Sequence, residues 1–194
     1  MDRSWMMFVD GENFTVRGER FASESGLTLT EGPRYQKDTF LWLPNVQPTY
    51  ALDRSKIKAS LSPRGIRAYY YTSMKADDPA VAATREKLWS LDFTPAVFKK
   101  IRKEDKAKGV DIALTKDMLV HAAHNHYEVA CLVAGDGDYV PLVEEVKRMG
   151  KIVVCIFFSG NGSKSGLSPS LKLACDEFYD IGRIFDSTWR TGSA

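Results

Sequence analysis

The sequence predicts an α/β fold in which a central, mainly parallel sheet of about five or six strands is covered by helices on both faces, a three-layer α/β/α sandwich. Short apolar runs such as 5–9 and 129–134 end in Gly and Asp, which is typical of buried parallel strands. Segments with helical apolar spacing separate these runs. The 194 residues are 44% hydrophobic, which is enough for one core and predicts a single domain over 1–194.

Strands are predicted where short runs are rich in β-branched and aromatic residues, at 5–9, 66–71, 94–98, 128–133, 151–158 and, as an edge strand, 177–181. Helices are predicted where apolar residues recur every three or four positions, at 49–61, 77–91, 111–123, 138–149 and 169–174, with a further helix of undefined length after Asn13. Asp77 and Pro79 favour a helix start, because Asp caps free N–H groups and proline fits the first turn. Residues 23–48 are predicted to form an irregular or hairpin insertion.

The overall composition excludes some classes of protein. The 27 basic and 25 acidic residues nearly balance, so the net charge of +2 does not by itself indicate a nucleic-acid binder. Three cysteines without a CxxC motif favour free thiols in a reducing compartment. The chain has no signal-peptide pattern and no apolar run near the ~20 residues of a membrane span. We therefore expect a cytoplasmic protein without a membrane segment; its oligomeric state, including a homo-oligomer, is left open.

Carboxylates follow two of the predicted strands. Asp10 comes directly after the first strand, and Asp136 and Asp138 follow the strand at 128–133. Strand carboxyl ends border the ligand crevice of a parallel sheet, so Asp10 and Asp136 are expected to face one crevice. Gathered carboxylates repel one another unless a cation or shared protons neutralise them. An all-oxygen site suits Mg²⁺ or Mn²⁺, which predicts a metal-dependent phosphoryl-transfer site.

Other polar residues near these strand ends have two interpretations. Asp111 opens a helical pattern, where the helix N-terminus stabilises its charge by about 0.3–1 kcal/mol, and both Asp111 and Asp138 fit either a metal ligand or a plain helix cap. No capping role is expected to explain both Asp10 and Asp136. Asn13 is a candidate to hold a phosphate oxygen or a metal-bound water. Asp117 lies about 120° round the helix from Asp111 and is expected to support the site indirectly or to meet solvent.

Three histidines, His121, His124 and His126, lie close together in the sequence. A zinc site is one interpretation. Imidazole near a helix C-terminus also interacts favourably with the helix dipole, and we favour this second interpretation because no cysteine or further acidic pattern accompanies the cluster.

A basic run leads to the turn before Asp111. It contains six basic residues against Glu104 and Asp105, a net charge of +4, namely Lys99, Lys100, Arg102, Lys103, Lys106 and Lys108. Such a run is usually a solvated loop. Beside an acidic metal pocket it is typical of a nuclease, in which basic residues hold the nucleic-acid backbone while the scissile phosphate meets the metal.

Three motifs in order resemble the NYN domain, and more closely its LabA-like (DUF88) branch within the PIN-like nuclease superfamily: residues 8–13, residues 108–111 with Asp117 following, and residues 135–142. The similarity covers most of the chain but does not explain 23–48. It implies a PIN-like fold, a divalent-metal site and RNA cleavage, with Asp10, Asp111, Asp136 and Asp138 as the acidic set and Asn13 and Asp117 at matching positions. Ala134 departs from the branch, which more often has Ser there. Ser168 is expected to cap the late helix rather than to contact phosphate.

The resulting hypothesis is a Mg²⁺- or Mn²⁺-dependent ribonuclease, in particular an endoribonuclease, that hydrolyses RNA phosphodiester bonds at the carboxylate cluster. One alternative is a non-catalytic RNA-binding or regulatory adaptor with the same fold. Another is a metal-dependent phosphatase or nucleotidase; the basic run argues against it, since small substrates need no extended backbone contact.

Overall fold

The computed structural model describes residues 3–43, 46, 61, 65–100, 108–159, 166–182 and 184–185. Its strands are β1 (Trp5–Asp10), β2 (Tyr35–Gln36), β3 (Phe40–Leu41), β4 (Arg67–Met74), β5 (Thr94–Lys99), β6 (Val129–Val133), β7 (Ile152–Phe157) and β8 (Glu177–Asp180). Its helices are α1 (Gly11–Glu24), α2 (Asp78–Ser90), α3 (Lys108–Ala123), α4 (Val140–Arg148) and α5 (Pro169–Ala174). A short 3₁₀ helix, Gly137–Tyr139, precedes α4.

The central sheet has six strands in the order β5-β4-β1-β6-β7-β8, and every neighbouring pair is parallel. From β1 the chain builds outward through β4 and β5 on one side, and then through β6, β7 and β8 on the other. The direction of winding therefore reverses between β1 and β6, which is where ligands bind in open parallel sheets. The predicted fold class is confirmed.

The core lies on both faces of β1, whose six residues are all buried. On one face, the Phe8 ring stacks against Tyr69 at 5.8 Å between centroids and meets the edge of Tyr127 at 5.7 Å. On the other face, α1 and the β2–β3 hairpin cover the sheet. Burial of this apolar surface stabilises the parallel sheet, because buried parallel strands need cover on both faces.

The β2–β3 hairpin lies in the segment predicted to be irregular or hairpin-like. Phe40, Leu41 and Leu43 are fully buried. The Tyr70 hydroxyl donates to the Leu41 carbonyl at 2.9 Å and accepts from the Leu41 N–H at 3.1 Å. The described part of this segment is therefore packed into the core, and its first two residues, 23 and 24, belong to α1.

Several predicted boundaries differ from the structure. Helix α3 begins at Lys108, three residues before Asp111, and β4 extends to Met74 rather than ending at Tyr71. Asp77 caps α2 as predicted, accepting from the Ala80 N–H at 2.9 Å. The helix predicted at 49–61 lies outside the described residues except for Leu61.

The structure bears on two expectations from composition. The three cysteines are free and buried. Within the described part of the chain, no helix is both long enough and apolar enough to cross a membrane.

Candidate functional site

Asp10 forms the floor of a crevice at the carboxyl edge of the sheet, where β1 ends and α1 begins. Its side chain is only 4% exposed, and its Oδ1 accepts the Asn13 N–H at 3.0 Å, so Asp10 is the N-cap of α1. The pKa of Asp10 is raised to about 7, mainly by burial and in part by the charges of Asp111 and Glu12, although the hydrogen bonds from Asn13 and Tyr139 act to lower it. A carboxylate whose charged form is destabilised by burial therefore lies at the point where the winding of the sheet reverses.

The Tyr139 hydroxyl joins Asp10 to Asp111. Its oxygen lies 3.0 Å from Asp10 Oδ2 and 3.1 Å from Asp111 Oδ1. Burial and the two carboxylates raise the pKa of Tyr139, so it remains a hydrogen-bond donor. Because a hydroxyl has one proton, it can donate fully to only one of these carboxylates at a time. The two acidic side chains therefore converge on one point with a single donor between them.

Asn13 links the β1–α1 junction to the loop after β6 by a hydrogen bond. Its side-chain oxygen accepts the Gly135 N–H at 3.0 Å. A Cβ at Gly135 would lie 2.3 Å from the Phe157 ring and 2.4 Å from the Gly166 carbonyl oxygen, so only glycine fits this close approach. Asn13 therefore has a structural contact that the sequence did not reveal, and its side-chain oxygen is already used.

The structure assigns a capping role to Asp136, whereas the sequence favoured Asp138 as the cap. Asp136 is the N-cap of the 3₁₀ helix, and its Oδ1 accepts the Asp138 N–H at 3.1 Å. The expectation that Asp138 caps the following helix is wrong, because α4 begins at Val140 and Tyr139 occupies its N-cap position. The expectation that capping would not explain both Asp10 and Asp136 is also wrong. Both Asp136 and Asp138 are exposed, and no hydrogen bond in the described residues links either side chain to Asp10 or Asp111.

Asp111 and Asp117 lie on α3, facing different partners. Asp111 is in the first turn but is not the N-cap, since the helix has already begun at Lys108. Asp117, six residues further along α3, accepts the Tyr71 hydroxyl at 3.0 Å. Of these two carboxylates, Asp111 meets the hydroxyl shared with Asp10, and Asp117 packs against β4. This arrangement agrees with the helical angle that separates them.

The predicted basic run is only partly described. Arg102, Lys103 and Lys106 lie outside the described residues, as does the side chain of Lys108. The Lys99 ammonium is 54% exposed and pairs with the exposed Asp78 at 2.7 Å. The Lys100 ammonium pairs instead with Glu12 at 2.6 Å, and its side chain is 11% exposed. The two neighbouring lysines therefore have different environments.

Ser168 and the histidines have local partners. Ser168 occupies the N-cap position of α5 without a side-chain capping bond, and its hydroxyl lies 2.7 Å from that of Ser170. The predicted cap is thus correct in position but not in contact. His121 Nδ1 lies 2.8 Å from His126 Nδ1, and His121 Nε2 lies 2.9 Å from the Tyr69 hydroxyl.

The residues at the crevice can be tested for their fit to a divalent cation. Among the described residues, no three His, Cys, Asp or Glu side chains are grouped closely enough to hold a metal ion. Mg²⁺, however, is usually held by one or two carboxylates and keeps several waters. Asp10 and Asp111 offer two oxygens that converge on the Tyr139 hydroxyl, and Asp10 is buried, so its charged form is costly unless a cation lies nearby. The pair therefore fits a hard cation bound partly through water.

Two residues at the crevice were missed by sequence reasoning. Tyr139 directly follows Asp138, so its position beside the acidic motif was a signal that could have been used. Glu12 lies within the first motif and accepts the Ser73 hydroxyl at 2.6 Å in addition to pairing with Lys100. Ser73 follows the predicted end of its strand, so its contact with Glu12 had no signal in the sequence.

Comparison with known proteins agrees with this architecture. The family model described as NYN domain matches residues 4–182. The chain is similar to the crystal structure of a protein of unknown function from Vibrio parahaemolyticus RIMD 2210633, with a TM-score of 0.58, 20% identity and 93% coverage of each chain, a likeness that shows the fold alone. None of the curated proteins compared with the chain matches it significantly. With six parallel strands, a winding reversal beside Asp10 and a family match over nearly its whole length, this chain belongs to the NYN domain family of the PIN-like superfamily.

Proposed function

We propose that this protein is a divalent-metal-dependent ribonuclease that hydrolyses RNA phosphodiester bonds at the crevice between β1 and α3. The observation that carries the proposal is the buried Asp10, joined to Asp111 by the single Tyr139 hydroxyl at the carboxyl edge of the sheet. Membership of the NYN family supports action on nucleic acid. Four points remain predictions from the sequence: endonucleolytic cleavage of the RNA, membership of the LabA-like branch, the single-domain organisation and a cytoplasmic location.

Asp10 and Asp111 would hold Mg²⁺ or Mn²⁺ directly, since their oxygens converge. Asp136 and Asp138, exposed after β6, would line the rim and meet the cation through water or the substrate. A divalent cation supplies electrostatic stabilisation of the charge that develops on the phosphodiester, together with a stronger nucleophile at neutral pH. The Asn13–Gly135 contact keeps the β1 and β6 ends in register beside the scissile bond.

The basic residues between positions 99 and 108, except Lys100, which pairs with Glu12, would bind the RNA backbone. Lys99 is exposed and lies at the end of β5. Positive charge is concentrated in the sequence before and at the start of the helix that carries Asp111, at Lys99, Arg102, Lys103, Lys106 and Lys108. Phosphate contacts of this kind give affinity that falls as the salt concentration rises.

The direct test is cleavage of structured and single-stranded RNA in Mn²⁺ by the wild type and by Asp10→Asn. Loss of a metal ligand at this site is expected to cost about 3–5 kcal/mol of transition-state stabilisation, which corresponds to about 10²–10⁴-fold in rate. Asp92→Asn is the matched control, because Asp92 is exposed and has the left-handed backbone (φ 66°) that Asn adopts readily. Equal cleavage by all three proteins would exclude the proposed site.

One observation favours a second function, that of an RNA-binding adaptor without cleavage. Capping hydrogen bonds to Asn13 and Asp138 give Asp10 and Asp136 a structural role that needs no cation. An adaptor of this kind would bind RNA equally well in EDTA and in Mn²⁺, and would leave the RNA intact. RNA affinity measured under both conditions, together with product analysis, separates the two functions.

A further inference from the structure

Glu12 and Lys100 form an ion pair at the edge of the acidic crevice. Glu12 is the second residue of α1, and its Oε1 lies 2.6 Å from the Lys100 ammonium. Its Oε2 accepts the Ser73 hydroxyl at 2.6 Å, at the end of β4. The Glu12 side chain is 37% exposed and that of Lys100 is 11% exposed. The pair therefore connects three elements that end at the same edge of the sheet.

Lys100 is also held through its backbone. Its N–H donates to the Met74 carbonyl at 2.9 Å, directly after β5. The 11% exposed side chain of Lys100 thus has its ammonium directed at Glu12 and little surface open to a ligand. Lys99, one residue earlier, pairs with Asp78, but both side chains of that pair are exposed, so water screens the contact and it is weak. The two lysines are thus a natural matched pair for experiment.

Glu12 is in the first turn of α1, two residues after Asp10, so its charge lies close to the proposed metal site. With Lys100 in place, the pair is neutral overall. Without Lys100, the crevice would gain one uncompensated negative charge; without Glu12, it would gain one uncompensated positive charge. Such charges near a partly buried site interact more strongly than exposed ones, because water screens them less.

We propose that Lys100 is a positioning residue that balances the charge of Glu12 beside the Asp10 site, and not a direct contact to RNA phosphate. This proposal rests on the proposed function for the meaning of the site, and it corrects the grouping of Lys100 with the RNA-binding basic residues. It predicts that the two partners, although they form one contact, have opposite effects when removed. A purely structural ion pair would instead give effects of the same sign.

The first measurement is Mn²⁺ affinity, by isothermal titration calorimetry without RNA. Lys100→Met is expected to tighten Mn²⁺ binding about three- to thirtyfold, and Glu12→Gln to weaken it by a similar factor. The double variant is expected to return close to the wild type, because it removes both charges. Lys99→Met, the matched control, is expected to change the affinity little. Shifts of the same sign in the two single variants, or no shift, would overturn the proposal.

The second measurement is RNA affinity in EDTA, which does not depend on the metal. Glu12→Gln is expected to strengthen RNA binding, because it leaves a positive charge uncompensated at the crevice, and Lys100→Met is expected to weaken it, because it leaves a negative charge uncompensated. The double variant is expected to match the wild type. If Lys100 contacts phosphate directly, the double variant would bind RNA more weakly than the wild type, because the contact is lost, and this result would contradict the proposal.

Failure of the proposed function gives a different pattern. If the wild type and Asp10→Asn bind Mn²⁺ equally, or neither binds it, the metal site is refuted. The RNA measurement in EDTA still decides the role of the pair in that case. Thermal unfolding of each variant confirms that it is folded, and a Glu12→Lys, Lys100→Glu exchange provides a further variant in which the ion pair is kept with its polarity reversed.

Discussion

The two edges of the central sheet carry polar clusters that differ in how well their charges are balanced. At the carboxyl edge, Asp10 and Asp111 share the one hydroxyl of Tyr139, and Asp10 is buried. At the amino edge, His121 and His126 face each other at 2.8 Å, and the other side of His121 meets the Tyr69 hydroxyl. Two neutral imidazoles can pair N–H to N without any net charge, whereas two ionised carboxylates repel each other unless a proton or a cation lies between them. The histidine pair therefore needs no counter-charge, and the acidic pair at the carboxyl edge does.

The pKa values at the two edges shift in opposite directions. Burial raises the pKa of Asp10 to about 7, which favours its neutral form. Burial and the neighbouring His126 lower the pKa of His121, which also favours its neutral form. The same physical cause therefore makes stability depend on pH with opposite slopes at the two edges.

The largest expected effect in stability is at Asp10. Between pH 4 and 7 the folded protein keeps a proton on Asp10 that the unfolded chain has released, so the free energy of unfolding falls as pH rises through this range. Asp10→Asn carries no charge and can still accept the Asn13 N–H. It is expected to be more stable than the wild type at pH 8 by about 2–4 kcal/mol, with little difference at pH 4.

Chemical denaturation in EDTA across pH 4–8 checks this expectation, with Asp92→Asn as the control. A wild-type protein whose stability rises steadily from pH 4 to pH 8, with Asp10→Asn less stable throughout, would contradict the raised pKa. If Asp10→Asn gains stability and loses cleavage, then the Asp10 carboxylate is the group in the crevice that lowers the free energy of unfolding at neutral pH.

Tyr139→Phe is expected to give an intermediate effect. It removes the buried donor to Asp10 and Asp111, and so should lower the free energy of unfolding in EDTA by about 1–3 kcal/mol. A cation between the two carboxylates would replace that donor, so the loss should shrink in saturating Mn²⁺. An equal loss in EDTA and in Mn²⁺ would show that the hydroxyl and the cation occupy different places.

His121→Gln is expected to give the smallest effect. Because the pKa of His121 is lowered, its neutral form stabilises the protein above pH 6.5, and this contribution is lost as the pH falls through the folded-state value. The variant should therefore lose less stability than the wild type between pH 7 and pH 5, while RNA cleavage and Mn²⁺ affinity stay unchanged. A change in Mn²⁺ affinity would revive the zinc-type interpretation of the histidines.

Much of the fold was predictable because each strand is a short apolar run with a clear end. The run ending at Asp10 and the run at 129–133 became neighbours as the winding rule requires. The helix start at Asp77 was correct because capping is a local contact. The start of α3 was missed by three residues, since Gly109 suggested a turn while tertiary packing extended the helix through it.

The candidate site was predictable in its residue types but not in its contacts. The sequence predicted that Asp10 and Asp136 face one crevice and left Asp111 as either a helix cap or a metal ligand, whereas the structure joins Asp10 to Asp111 through the Tyr139 hydroxyl. It could not rank Asp136 and Asp138 correctly, because which Asp caps a turn depends on backbone angles in that turn. It missed Tyr139, whose hydroxyl reaches Asp10 across 129 positions of sequence.

The sequence by itself determined the parallel α/β architecture, the strand ends that carry carboxylates and the family, because these follow from hydrophobic patterning and from motifs a few residues long. Only the tertiary structure decided that Tyr139 stands between Asp10 and Asp111, and that Lys100 turns inward to Glu12 while Lys99 faces outward. These contacts bring together side chains from distant positions in the chain. Their geometry depends on packing and burial, which no local pattern in the sequence records.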